Sequence, residues 1–101
     1  MEYVLIERET ADIDEPLQIY SELDENRREV RRVEFYDNGL THACGGSFGR
    51  EEALAKDPFP ADLRTLAVPG EVTARAIPAA FFREVWSQVQ ERPDGFMGMF
   101  F

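Results

Sequence analysis

Asn38-Gly39 is the feature that most restricts what this chain can fold into. Asn-Gly is the favoured centre of a two-residue type I′ hairpin, a turn that needs positive φ at both central residues. Taken that way, it pairs Asp37 with Leu40, Phe35 with His42 and Val33 with Cys44. A hairpin this short makes its two strands antiparallel neighbours, and a two-stranded ribbon is unstable alone. More strands must therefore lie close in sequence.

Upstream, Leu17, Ile19, Ser21 and Leu23 share one face of a strand, LQIYSEL. A three-residue loop at Glu25–Arg27 joins it to a strand over Arg28–Asp37. That loop sets Ile19 opposite Val33, Leu17 opposite Phe35, Tyr20 opposite Arg32 and Ser21 opposite Arg31, matching apolar to apolar. Residues 2–8, EYVLIER, read as a further strand, separated from the second by acids and Pro16. The expected sheet is a four-stranded antiparallel meander.

After Gly45 the period changes. REEALAK (50–56) predicts two helical turns, and PADLRTL another short turn with Pro60 at its first position. EVTARAI (71–77) is a weak strand pattern. Over 78–92, Phe81/Phe82, Val85/Trp86 and Val89 recur at i, i+4, i+8, with Pro78 in the first turn and Pro93 as a stop. The resulting expectation is a single α+β domain over 1–101, its sheet packed by a C-terminal amphipathic helix.

Charge narrows the function classes. The chain carries a net charge of −9, and residues 1–26 hold nine acids against one arginine. That balance argues against nucleic acid, whose binding depends on clustered Lys/Arg, and suits a basic protein partner. The single cysteine, Cys44, precludes an internal disulfide and fits a reducing compartment. MEYVLIERE lacks a basic leader and an apolar run long enough to span a bilayer. A cytoplasmic protein with no membrane association is expected.

Against this background, Arg27, Arg28, Arg31 and Arg32 fall within six positions. Two readings stay open. One is an ion-laced sheet face matched by Glu22, Asp24, Glu29 and Glu34. The other is an anion site in which Arg28 and Arg32, with Tyr20 or Tyr36, bind a carboxylate or phosphate. On a regular strand Arg28 and Arg32 share a face and Arg31 takes the other, so one continuous patch would need a bulge. His42 and Cys44 lack a third catalytic group, and one His with one Cys is too few for a transition-metal site. GGSFGREEAL lacks the Lys-Ser/Thr of a phosphate loop and places Glu51 and Glu52 where phosphate would sit. No catalytic residue, metal or cofactor is assigned. The apolar ending GFMGMFF either folds back on the sheet or serves as a handle for a partner, including a second copy through residues 96–101.

DEPLQIYSELDENRREVRRVEFYDNG, residues 14–39, resembles the signature of a family of short bacterial proteins of unassigned function, of the type DEP-x-x-IYSELD-x-x-R-x-EVR-x-VE. VTARAIPAAFFREVW extends the resemblance, which spans most of residues 2–87 and departs at the Gly-rich stretch 45–49 and the apolar tail. The resemblance implies no catalytic residues. It does imply that Tyr20, Ser21, Glu22, Arg28, Glu29 and Arg31 form one cross-strand set. In size and charge such proteins are similar to immunity and antitoxin-like proteins. The leading expectation is a protein-binding module of that kind, with Tyr20, Glu22, Arg28, Arg31, Arg32 and Tyr36 as candidate binding residues. The alternative is a small-anion binder or an enzyme working from the arginine/tyrosine sheet face.

Overall fold

The computed structural model describes residues 1–91. Strands β1 (Glu2–Arg8), β2 (Pro16–Leu23), β3 (Glu29–Tyr36), β4 (Thr41–Gly45) and β5 (Val72–Ala76) form one antiparallel sheet in the order β4-β3-β2-β1-β5, followed by helix α1 (Ala79–Glu91). The sheet therefore has five strands, not four. EVTARAI is the fifth, pairing with β1 from Val4↔Ala76 to Arg8↔Val72. Its signal is weak because it is an edge strand, with Val72 and Ala74 half-buried and Thr73 and Arg75 exposed.

Cross-strand partners share a face, so the register sorts the side chains. Leu5, Tyr20, Val33 and Ala43 form one row across β1–β4 and pack against Phe82, Val85 and Trp86 of α1. The helical stripe read from the spacing is the buried one. Phe81 sits at its margin, 39% exposed, with its ring edge-on to Tyr20 at 5.7 Å. On the face away from α1, Val4, Ser21, Arg32 and Cys44 make a second row, and Ile6, Ile19, Glu34 and His42 a third.

Both hairpin registers differ from expectation by one residue. The Glu25–Arg27 loop is present: Arg27 N–H donates to Asp24 O at 2.9 Å, Asp24 N–H donates to Arg28 O at 2.9 Å, and Leu23 pairs with Glu29. Next, Val30 bulges out of β3, so Glu22 faces Arg31, Ser21 faces Arg32 and Tyr20 faces Val33. A one-residue shift moves every later side chain to the other face. Ile19 thus lies away from the helix and Tyr20 under it, and a second register shift, between Gln18 and Pro16, leaves Leu17 outside the pairing.

Asn38-Gly39 also turns the chain, but within a three-residue loop. Gly39 N–H donates to Tyr36 O at 3.0 Å and Tyr36 N–H to Leu40 O at 2.9 Å. Only Gly39 has positive φ (91°), while Asn38 Oδ1 accepts from Leu40 N–H at 3.0 Å. The type I′ pairing is replaced by Phe35↔Thr41, Val33↔Ala43 and Glu34↔His42, so His42 and Cys44 face away from α1. Open space surrounds Gly39. Gly39→Ala is therefore expected to lose only the glycine's φ freedom, about 1 kcal/mol in denaturant unfolding.

The connection from β4 to β5 holds single 3-10 turns at Glu51–Ala53 and Leu63–Leu66 in place of a two-turn helix at 50–56. Asp62 caps the second turn, its side chain accepting from Arg64 N–H at 3.0 Å. Residues 92–101, including the Pro93 stop and the apolar tail expected either to fold back on the sheet or to serve as a handle for a partner or second copy, lie outside the described residues.

Candidate functional site

The bulge at Val30 decides where the arginines go. On the helix side, Tyr3, Glu22 and Arg31 form one cross-strand row. Arg31 holds Glu22 with both ends of its guanidinium, Nε to Oε1 at 2.5 Å and Nη2 to Oε2 at 3.0 Å, and the Tyr3 hydroxyl donates to Oε2 at 3.1 Å. The Arg31 guanidinium lies over the Trp86 ring at 4.6 Å and the Phe82 ring at 5.1 Å. The Glu22 side chain is 7% exposed. Burial pushes its carboxyl up, but the hydrogen bonds and charge of Arg31, with the Tyr3 hydroxyl, overcome this and hold it below the ordinary value. The Nε/Nη2 edge of this guanidinium is thus taken by Glu22, and its face is covered by aromatic rings.

On the other side of the sheet, Glu29 is fully buried. It accepts from Ser21 Oγ at 2.5 Å, from the Ala55 N–H at 2.7 Å and from Arg32 at 3.4 Å. Arg32 also binds Glu34 at 2.7 Å, and the Tyr36 hydroxyl donates to Glu34 at 3.1 Å. Burial works against the Arg32 charge, yet Glu29 and Glu34 together raise its pKa above the ordinary value. Burial, then Glu34, raises Tyr36. Burial likewise raises Cys44, with the nearby Glu34 adding to it, so the thiol stays protonated and is a poor nucleophile.

The remaining two arginines bind backbone. Arg27 sits at φ 63° and donates from Nε to Phe59 O at 3.1 Å and from Nη2 to Pro60 O at 2.7 Å, while Nη1 pairs with Glu2. Arg28 Nη1 donates to Lys56 O at 3.0 Å.

The structure therefore divides the residues read from sequence. Arg32 and Tyr36 come together through Glu34. Tyr20 lies on the opposite face, beneath α1, its ring edge-on to Phe35 at 5.6 Å. Arg28 faces the 50–60 segment. The set of Tyr20, Ser21, Glu22, Arg28, Glu29 and Arg31 is split, with Glu22–Arg31 on one face and Ser21–Glu29 on the other. An anion at Arg32 would have to displace Glu29 or Glu34.

A second feature is set by topology. The acids of residues 1–26 do not form one block. Asp24 and Glu25 lie at the β2–β3 turn beside Arg27, whereas Glu9, Asp12, Asp14 and Glu15 lie at the opposite end of the sheet. There, Glu9 N–H donates to Glu71 O at 2.8 Å, and the Pro16↔Tyr36 pair sets Glu15 beside the Asp37 turn. Residues 8–16, 36–41 and 69–72 hold six exposed carboxylates (Glu9, Asp12, Asp14, Glu15, Asp37, Glu71) and one base, Arg8. Ile13 and Leu40 are exposed in the same loops, at 75% and 56%. The sequence signal for this acidic pole was available in the alternation of strand direction, which brings every second loop to one end.

Among the described residues, no grouping of three His, Cys, Asp or Glu has the geometry to hold a metal, and no helix is long and apolar enough to cross a membrane. Residues 2–91 match the model of a family described as "Domain of unknown function (DUF6881)". No curated protein matches the chain, and no solved structure does.

Proposed function

The chain belongs to the family of the Domain of unknown function (DUF6881), which brings no activity with it, and we propose that it is a protein-binding module that takes a basic partner on its acidic pole. The observation that carries this reading is the uneven use of charge. Arg27, Arg28, Arg31 and Arg32 are each bonded to carboxylates or carbonyls of the chain itself. The six pole carboxylates stand exposed at the end of the sheet whose loops also expose Ile13 and Leu40. Acidic groups around a few apolar contacts suit a complementary basic surface, with charge steering the encounter and apolar side chains forming the contact. Small acidic proteins that neutralise a basic toxin or enzyme work with this chemistry. No reaction is assigned, and the protonated Cys44 thiol and the matched arginines favour binding over catalysis.

The test compares three immobilised proteins exposed to a lysate of the source organism. They are the wild type, a pole variant (Glu9→Gln, Asp12→Asn, Asp14→Asn, Glu15→Gln, Asp37→Asn, Glu71→Gln) and a control that neutralises three acids away from the pole (Glu25→Gln, Glu51→Gln, Glu52→Gln). A near-stoichiometric basic partner is expected on the wild type and the control. Its purified form should bind the pole variant about 100-fold more weakly at low salt, and the difference should shrink as salt rises. A partner retained equally by all three proteins, or none captured, would overturn the reading.

A further inference from the structure

The arginine-rich turn has a role that neither ion pairing within the sheet nor the acidic pole explains. Within residues 50–60, Ala55, Lys56, Phe59 and Pro60 are bound to it. The Ala55 N–H donates to Glu29 Oε1 at 2.7 Å, Lys56 O accepts from Arg28 at 3.0 Å, the Phe59 N–H donates to Arg27 O at 2.8 Å, and the carbonyls of Phe59 and Pro60 accept from the Arg27 side chain at 3.1 and 2.7 Å. All of these bonds come from three consecutive residues, Arg27–Glu29.

The segment has little regular structure of its own. Its regular structure is one 3-10 turn, Glu51–Ala53, and none of residues 50–60 is fully buried. Yet it is bonded to Glu29 on the sheet face away from α1, where the neighbouring Ser21 and Leu23 are completely buried. The two non-glycine residues with positive φ, among those described, stand at its ends: Arg50 (56°) where it leaves the β4 side, and Arg27 (63°) at its anchor. Such conformations persist where surrounding contacts hold them. A segment with one turn of regular structure and no fully buried residue, bound by polar bonds to one short stretch, is the kind of unit that opens below the free energy of global unfolding.

We propose that residues 50–60 are a strap, latched by Arg27, Arg28 and Glu29, that opens as a unit while the five-stranded sheet stays folded and uncovers the sheet face carrying Ser21, Leu23 and Glu29. Occupancy of that face by the strap or by another chain then becomes a two-state element separate from the acidic pole.

The chain provides its own reporter, because Lys56 is its single lysine and lies in the strap. A lysine-specific endoproteinase cuts the folded protein only when the strap opens. In wild type, cleavage at Lys56 should rise with denaturant much less steeply than global unfolding does, because little surface is exposed. Arg28→Ala, which removes one exposed bond, should speed cleavage several-fold. Arg27→Ala, which removes two bonds to the strap along with the pair to Glu2, should speed it by about ten-fold or more, with the exchange of the Ala55 and Phe59 amides rising in parallel and the β1–β2 amides holding their protection relative to global stability. If Arg27→Ala does not fold, the wild-type denaturant slope and Arg28→Ala decide the question. A cleavage slope equal to that of global unfolding would overturn the proposal, as would cleavage at the rate of an unfolded chain that both substitutions leave unchanged.

Discussion

Gly45→Ala is expected to destabilise the domain by about 4 kcal/mol, several times the effect of Gly39→Ala, although both replace a glycine of positive φ at the margin of the same strand. Gly45 has φ 87° and ψ 174°, a region open to glycine and essentially closed to other residues, and strain there amounts to roughly 1–3 kcal/mol. Space adds the rest. A Cβ on Gly45 would overlap the carbonyl oxygen of Val30 and come within 3.1 Å of Arg31 Cα. These are backbone atoms, unable to swing aside as a side-chain tip does, and forced overlap in packed structure adds about 1–3 kcal/mol. The obstructing carbonyl belongs to the β3 bulge. Gly45 thus allows β4 to lie against the irregularity that sets Glu22 opposite Arg31. Denaturant unfolding of the two variants side by side makes the comparison, and equal losses would show that the close approach does not constrain the bulge.

That bulge also marks where the sequence stops being readable. The positions of β1–β4 and the helical stripe Phe82/Val85/Trp86 follow from alternation, turn residues and a 3.6-residue period, because each is a local property. Register is not local. The loop at Glu25–Arg27 and the pair Leu23↔Glu29 agree with the expected hairpin, and the error begins one residue later, at Val30. A trace of it is visible: Val30 and Val33 are three apart, a spacing that cannot place both on one face of a regular strand. Apolar matching favoured Ile19 against Val33, but the chain instead keeps Tyr20, Val33 and Phe35 under the helix and exchanges an apolar row for two buried carboxylates with arginine partners.

The arginine cluster was half legible for a different reason. Glu22 and Glu34 as partners of Arg31 and Arg32 are close enough in the hairpin to be guessed from charge. Apart from the Arg27–Glu2 pair, the partners of the Arg27 and Arg28 side chains are backbone carbonyls of residues 28 to 33 positions away, and a carbonyl leaves no mark in a sequence. The acidic stretch shows the opposite problem. Nine acids in 26 residues read as one feature, yet antiparallel strands send Glu9–Glu15 and Asp24–Glu25 to opposite ends and bring Asp37 and Glu71 to join the first group.

Arg31→Met should lower stability at neutral pH by about 3 kcal/mol, equivalent to a Tm roughly 15 °C lower for a domain of this size. Methionine fills much of the space over Trp86 and Phe82, so the main loss is the partner of the Glu22 carboxylate, buried and left with the Tyr3 hydroxyl as its remaining side-chain donor. The pH dependence separates this cause from lost packing. In the wild type the Glu22 carboxyl is held below its ordinary value, so its contribution is fully present above the unfolded-state pKa of about 4.3 and is lost as pH falls through the folded value. In the variant, burial acts without Arg31 against it, and the folded-state pKa should move above the unfolded one. The sign then reverses: the penalty vanishes at low pH, where Glu22 is protonated in both states, and grows as pH rises. The gap between the two proteins should be widest near pH 7 and close below about pH 4. Glu22→Gln combined with Arg31→Met should recover a large part of the loss at pH 7, since a neutral amide needs no counter-charge and keeps the Tyr3 hydrogen bond. A gap of constant size across this range, undiminished in the double variant, would assign Arg31 to packing against the aromatic rings and remove the buried ion pair from the account of what fixes this hairpin.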